Sequence, residues 1–175
     1  MIRKSSEAEM QALEQVANLM CAAARTAPKT CGIDNIQVLI LTEKDVQRLV
    51  PKMLEIAKRD TRPSCERDAK TLETVKACVI IGAKPNPPGL NCGFCGFKNC
   101  EELKAKGGVC AYNSMDLGIA LSSAVGIANQ FHIDNRLMYS IGRASLELGL
   151  FEKDVKQAIG IPLSATGKNI FFDRK

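Results

Sequence analysis

The chain has 175 residues, a net charge of +5, 46% hydrophobic residues and 25% charged residues. These values are typical of one folded domain, 1–175, with a sizeable core. The Lys and Arg residues are scattered, which argues against a nucleic-acid-binding surface. Residues 1–10 lack an apolar segment, and the longest apolar-rich stretch, 115–131, contains Asp116 and is too short for a membrane span. We therefore expect a cytoplasmic protein that binds neither nucleic acid nor membrane.

The first half of the chain predicts helices alternating with buried strands. Ser6 and Glu9 fit a capping box, followed by apolar residues at helical spacing. "NIQVLIL" and "ACVIIGA" are rich in β-branched residues and predict buried strands. The expected elements are helices at 7–25, after Thr42 and at 64–77, and strands at 35–41 and 77–83.

The second half begins with a loop, "KPNPPGLN", whose three prolines cannot continue a central strand. A long apolar helix is expected next, with small residues that allow close approach of another backbone. The remaining expected elements are a helix at 114–131, short strands at 137–142 and 155–163, a short helix at 143–150 and an edge strand at 169–174. This alternation predicts a layered arrangement of helices on a sheet.

Four of the eight cysteines lie in "NCGFCGFKNCEELKAKGGVC". The spacing is Cys92-x2-Cys95-x4-Cys100-x9-Cys110, and the first pair brings two sulfurs to one tight turn. Gly93 and Gly96 would let the backbone wrap closely, with Phe94 and Phe97 sheltering the site from water and Lys98, Lys104 and Lys106 balancing thiolate charge. A short helix is expected to begin near Cys100 and to return the chain to Cys110.

Three interpretations of this cysteine loop stay open from spacing alone. An iron–sulfur cluster fits four clustered cysteines in a reducing compartment, where structural disulfides are rare. Zinc is the main alternative, although only the first pair forms a knuckle and the one histidine, His132, is distant. Four cysteines without a metal are the third interpretation.

"CGFCGFKNC" resembles the start of small [4Fe–4S] domains with four cysteines, including those of corrinoid iron–sulfur proteins. Over nearly its whole length the chain is similar to the ferredoxin domain-containing proteins of anaerobic bacteria and archaea, on phrases such as "AARTAPK" and "GIPLSATGKNIFFDR". This resemblance implies a [4Fe–4S] cluster held by Cys92, Cys95, Cys100 and Cys110, without a defined reaction.

"AARTAPKTCGIDNIQVLIL" resembles the nitroreductase segment that follows the first helix and enters a strand, on Ala27, Pro28, Asn35 and Gln37. The resemblance implies a nitroreductase-like α+β fold, with a central mixed β-sheet flanked by helices and a cysteine-rich insertion at 84–112. It also implies a homodimer with FMN at the interface. In such a site Asn35 and Gln37 would bond the ring edge, while Arg25, Lys29 and Lys168 would meet the phosphate.

The sequence therefore predicts a [4Fe–4S] electron-transfer protein, with FMN-dependent oxidoreductase activity as a further expectation. A flavin exchanges electrons in pairs or singly, whereas an iron–sulfur cluster passes one at a time. The expected partners are a second copy of the chain and a redox protein or a small-molecule electron donor or acceptor. The alternative is a non-catalytic module in which zinc or iron–sulfur only stabilises the loop. No hydrolase or nucleotide-phosphate motif is present.

Overall fold

The computed structural model describes residues 2–172. The strands within this range are β1 (Ile36–Thr42), β2 (Ala77–Ala83), β3 (Asp134–Asn135) and β4 (Gln157–Ser164). The helices are α1 (Ser5–Thr26), α2 (Lys44–Gln47), α3 (Leu49–Arg59), α4 (Pro63–Leu72), α5 (Cys100–Ala105), α6 (Ala111–Gln130) and α7 (Tyr139–Glu147), with a 3-10 turn at Thr30–Gly32. The predicted strands at 35–41, 77–83 and 155–163 are confirmed, as are the predicted helices at 7–25 and 114–131.

The described strands form one sheet in the order β1-β2-β4-β3, and every pairing is antiparallel. The prediction of a mixed sheet is wrong in this respect. After β1, helices α2 to α4 bring the chain back to the end of the sheet that it has just left. Gln47 Nε2 donates to the carbonyls of Leu72 and Val75 at 3.2 Å, and these bonds join the start of this helical segment to its end. Because β2 starts beside the end of β1, the two strands run in opposite directions.

Helices cover both faces of the sheet. On one face α1 and α6 pack through small and medium apolar residues such as Ala17, Met20 and Ala124. On the other face α3, α4 and α7 pack through residues such as Met53, Leu72 and Ile141. Every residue of β2 is buried, which explains why "ACVIIGA" is a continuous apolar run without alternation.

Three local predictions differ from the structure. The capping box at Ser6 does not form, because α1 begins at Ser5 with Lys4 as its N-cap and without a side-chain cap bond. Residues 137–142 are not a strand, since α7 begins at Tyr139. The edge strand predicted at 169–174 is absent as far as Phe172, where the Asn169 side chain instead accepts hydrogen bonds from the amides of Phe171 and Phe172. The rest of that segment lies outside the described residues.

Helix α7 lies against β4 at the point where two glycines remove side-chain bulk. A Cβ on Gly142 would lie 1.8 Å from the carbonyl oxygen of Ala158, and one on Gly160 would lie 2.1 Å from Cγ2 of Ile141. The apolar run around Ile141 therefore reflects a helix face pressed on the sheet rather than strand alternation.

We expect Gly142→Ala to lower the free energy of unfolding by about 3 kcal/mol or more, because the obstacle is backbone and cannot rotate away. Urea unfolding at fixed protein concentration measures the effect. Gly167→Ala is the control, since Gly167 is exposed and no atom lies within 4 Å of its added Cβ. Equal stability of the two variants would contradict the close approach of α7 to β4.

Candidate functional site

The four predicted ligands lie together. Cys92, Cys95, Cys100 and Cys110 all line one small cavity, whose wall also includes Tyr112. Cys92 is exposed, Cys95 and Cys100 are half-buried, and Cys110 is buried. Cys92 and Cys95 lie in the loop that follows β2, Cys100 is the first residue of α5, and Cys110 is the N-cap residue of α6. The cavity therefore joins a surface loop to the start of a long core helix.

The loop is shaped by turns and by one asparagine. Gly93 and Gly96 have φ values of 70° and 83°, and the amide of Gly96 donates to the carbonyl of Gly93 at 2.9 Å. These values favour glycine, as the sequence predicted. Asn91 holds Cys100 from two sides: its Oδ1 accepts from the Cys100 amide at 3.0 Å, and its own amide donates to Cys100 Sγ at 3.4 Å.

The short helix predicted near Cys100 is confirmed as α5. Asn99 caps it by accepting from the amide of Glu102 at 2.8 Å. At its other end the Gly108 amide donates to the carbonyl of Leu103 at 2.9 Å, and this turn directs the chain to Cys110. A six-residue helix thus separates the third cysteine from the fourth, which shortens the distance that nine intervening residues have to span.

The two phenylalanines expected to shelter the site do not line its cavity. Phe94 is 63% exposed and packs against Tyr112, with ring centroids 5.6 Å apart. Phe97 packs instead towards Leu103 and Gly108. Tyr112 provides the aromatic wall, and the cavity lies close to the surface of a single chain.

A buried polar network, which sequence reasoning missed, anchors the loop to α6. Asn113 is only 2% exposed, and its Nδ2 donates to the carbonyls of Lys84 and Asn86 at 2.9 and 2.8 Å. Asn35 adds a second bond to the Asn86 carbonyl, at 3.2 Å. The sequence feature that could have indicated this network is Asn113 itself, a polar residue in the first turn of a mostly apolar helix. The network fixes the entry of the loop three residues from Cys110.

We expect Asn113→Ala to destabilise the protein by about 2 kcal/mol, because buried carbonyls lose their donors. It should also speed proteolytic cleavage within residues 84–91, which can be located by mass spectrometry. Gln130→Ala, which removes an exposed amide at the end of the same helix, is the control and should change neither quantity. A stable Asn113→Ala protein with an uncleaved loop would show that the network does not anchor it.

Asp116 provides a second anchor that the sequence did not reveal. This buried carboxylate accepts from the Thr30 amide at 3.1 Å and from its hydroxyl at 2.9 Å. It ties the 3-10 turn that follows α1 to the first half of α6. The turn therefore sits on the same helix as the cysteine loop.

Two of the predicted flavin residues, Arg25 and Lys29, form hydrogen bonds within the chain at the end of α1. Lys29 Nζ donates to the carbonyls of Arg25 and Ala27 at 2.5 and 2.8 Å, which satisfies groups that the helix end leaves free. Arg25 donates to Asp34 and to the carbonyl of Ile36. Partial burial acts to raise the pKa of Asp34, but the hydrogen bond from Arg25, the Ile36 amide and the charges of Arg25 and Lys29 bring that pKa below its ordinary value.

The other three predicted flavin residues are divided between the two ends of the sheet. Asn35 precedes β1 and belongs to the polar network, and Gln37 Oε1 accepts from the amide of Glu152 at 3.3 Å. Lys168 follows β4, whose last residues pair with the start of β2, whereas Ile36 pairs with its end. One chain thus places Lys168 and Asn35 at opposite ends of β2.

The described residues contain no group of three or more His, Cys, Asp or Glu side chains arranged to hold a metal ion. The four cysteines share a cavity, but their sulfurs do not converge on one ion position. In the same part of the chain, no helix is both long and apolar enough to cross a membrane.

The fold is that of nitroreductase-like flavoproteins. A nitroreductase from Desulfitobacterium hafniense with bound FMN matches with a TM-score of 0.62 and 13% identity, over 89% of this chain and 79% of that chain. The FMN-dependent nitroreductase NfnB from Mycobacterium smegmatis, in complex with NADPH, matches with a TM-score of 0.61 and 12% identity, over 88% and 78%. The predicted α+β nitroreductase-like fold is confirmed.

The chain belongs to a family described as uncharacterized proteins containing a ferredoxin domain (DUF2148). An uncharacterized protein of Archaeoglobus fulgidus is 37% identical over 183 residues, covering 99% of this chain and 98% of that one. The family model matches residues 106–174. The resemblance to this family is thereby confirmed, and family and fold together support a role in redox chemistry in general.

Proposed function

We propose that the protein transfers electrons through a [4Fe–4S] cluster held by Cys92, Cys95, Cys100 and Cys110. The observation that carries this proposal is that all four cysteines line one cavity. The other four cysteines, at 21, 31, 65 and 78, do not line it. A family defined by a ferredoxin domain supports the same assignment, although the family model covers only Cys110 of the four.

The residues around the cavity suit a cluster. Thiolates are the usual protein ligands of such clusters, and hydrogen bonds to their sulfurs tune the reduction potential. The Asn91 amide already donates to Cys100 Sγ at 3.4 Å. A zinc ion with Zn–S bonds near 2.3 Å would need sulfurs roughly 3.8 Å apart. The described residues contain no group of three or more side chains arranged around a single ion position, and this argues more directly against zinc than against a cluster of several irons.

When bound, a cluster would accept and release one electron at a time. The chain contributes the positions of the four thiols and partial exclusion of water. Cys110 and Tyr112 form the inner wall, fixed by α6, while the exposed Cys92 lies on the outer side of the cavity. The exposed outer side is where a redox protein or small electron carrier would approach.

The alternative function is a non-catalytic module in which zinc or a cluster stabilises the loop without exchanging electrons. The local structure favours neither role by itself, because turns, caps and the asparagine network would serve both. Reversible reduction of the purified protein separates them, since a structural zinc site has no redox chemistry.

FMN is the second cofactor that we propose, at an interface between two copies of the chain. Solved structures with this fold include proteins that contain FMN. Since Lys168 lies at the other end of β2 from Asn35, a site that uses both residues would draw them from different chains. Of the two predicted cations at the end of α1, Arg25 has a side chain that is 51% exposed, whereas that of Lys29 is only 7% exposed.

The exposed face of α6 supports a homodimer. Its residues Met115, Gly118, Ile119, Ser122 and Gly126 are exposed and uncharged. The one charged residue of this helix, Asp116, is buried against Thr30. A 20-residue helix with no charge on its exposed face is suited to packing on another protein surface, and its small residues permit close approach.

The proposed cofactors are tested by one anaerobic purification followed by an optical spectrum and by analysis of iron, sulfide, zinc and flavin. Iron and sulfide in equal amounts with a broad visible band that bleaches on reduction would support the electron-transfer proposal. Stoichiometric zinc without iron or sulfide would refute it and leave the structural module. Resolved flavin bands would add FMN.

A further inference from the structure

A second cavity lies between the first turns of α4 and α7, in the helical layer on the other side of the sheet from α1 and α6. Its volume is about 220 Å³, which holds roughly seven water molecules. Four arginines line it, at positions 62, 67, 136 and 143, together with Asp60 and Asp68. None of the predicted cluster or flavin residues lines this cavity.

Two of the four arginines already have carboxylate partners. Arg67 donates to Asp68 at 2.9 Å, and Asp68 also accepts from the Ser140 hydroxyl at 2.7 Å. Arg143 donates to Glu147 at 2.6 Å. The guanidinium of Arg59, outside the cavity, bonds Asp60. Both acidic groups of the cavity wall are therefore neutralised by the protein itself.

Arg62 and Arg136 have no such partner. Within residues 2–172, neither guanidinium lies within ion-pair distance of a carboxylate. Arg62 lies over the ring of Tyr139, 5.9 Å from its centroid, and Arg136 donates to the carbonyl of Phe171 at 3.2 Å. These contacts orient the two guanidiniums while leaving two positive charges for a ligand.

The helix ends add to this positive character. The first turns of α4 and α7, which begin at Pro63 and Tyr139, both border the cavity, and helix N-termini attract anions. Cys65 also lines the cavity, but burial raises the pKa of its thiol, so it remains protonated at neutral pH. The cavity is suited to binding an anion and offers no activated nucleophile.

We propose that this cavity binds the phosphate group of a small phosphorylated molecule, with Arg62 and Arg136 as its ion-pair partners. Two guanidiniums without a carboxylate partner among residues 2–172 match a dianion, and the planar fork of arginine fits phosphate oxygens in pairs. The cavity is small, so the phosphate and a few further atoms fill it. The site does not depend on the cysteine loop or on its cofactor.

The proposal is tested by calorimetric titration of the full chain with ribose 5-phosphate, with ribose as the unphosphorylated control. We expect binding of the phosphate ester and none of ribose. Arg62→Gln and Arg136→Gln should each weaken binding at least tenfold, since each removes one charge-assisted contact. Arg48→Gln is the matched control, because Arg48 is an exposed arginine outside the cavity that pairs with Asp45, and this variant should bind the phosphate ester as the unchanged protein does.

Two further titrations identify the kind of molecule that supplies the phosphate group. Inorganic phosphate tests whether the phosphate group alone suffices, and FMN against riboflavin tests whether the phosphate of a flavin uses this cavity. Binding of any phosphate ligand that depends on Arg62 and Arg136 supports the proposal. The proposal is overturned if no phosphate ligand binds in the millimolar range. It is overturned equally if Arg48→Gln weakens binding as much as the two cavity variants, which would indicate non-specific attraction to a basic protein. Cluster content is measured in parallel, so failure of this site and failure of the cysteine site remain distinguishable.

Discussion

Replacing Cys95 by Ser is expected to remove most of the iron and sulfide from anaerobically purified protein. Cys95 lies in the turn between Gly93 and Gly96 and lines the cavity with the other three cysteines. A serine hydroxyl is a poor substitute for a thiolate ligand, and a cluster bound by three thiolates is lost or altered. The same result is expected at Cys92, Cys100 and Cys110. Iron and sulfide analysis, with the visible spectrum, measures the loss.

The controls are cysteines outside the cavity. Cys21→Ser changes a half-buried thiol on α1 and should retain full cluster content. Cys78 is fully buried in β2, where burial raises the pKa of its thiol to about 12, so it is a neutral core side chain rather than a ligand. Cys78→Ser should lower stability but not the iron content of the folded fraction. Normal iron content in Cys110→Ser would remove that residue from the ligand set and point to a three-cysteine site.

The cysteine loop was predictable because its information is local. Cys92 to Cys110 span nineteen residues, and glycines at the turns and Asn99 before the helix are short-range signals. Strand β2 was likewise readable as a continuous apolar run. In both cases neighbouring residues along the chain determine the outcome.

Features that depend on distant residues were not predictable. Asn35, Asn86 and Asn113 lie together in the fold although 78 positions separate Asn35 from Asn113 in the sequence. The residues around each asparagine do not indicate that it contacts the other two. The start of α7 resembled a strand because Ile141 packs on Gly160 and Gly142 on Ala158, which are contacts between distant segments. Lys29 was predicted to meet a phosphate, yet the carbonyls at the end of α1 take its ammonium group. Its role towards a flavin stays a prediction.

Ile119→Arg is expected to convert the proposed homodimer into monomers. Ile119 is 40% exposed on the uncharged face of α6. In a two-fold dimer each residue of the interface occurs twice, so the substitution introduces two guanidiniums on facing surfaces that offer no carboxylate. An unpaired buried charge costs about 3–5 kcal/mol, which weakens association by at least about a hundredfold. Analytical ultracentrifugation over a range of concentrations measures the change.

The control for this substitution is Leu54→Arg, because Leu54 is 38% exposed on α3 in the opposite helical layer. It adds the same charge at similar exposure and should leave the dimer intact. The iron and flavin contents of the monomer should differ. The cysteine cavity lies within one chain, so an Ile119→Arg monomer should keep its cluster. A flavin shared between chains should be lost with the dimer, because Lys168 and Asn35 would no longer meet. A monomer that retains both cofactors would place FMN within a single chain and refute the shared site.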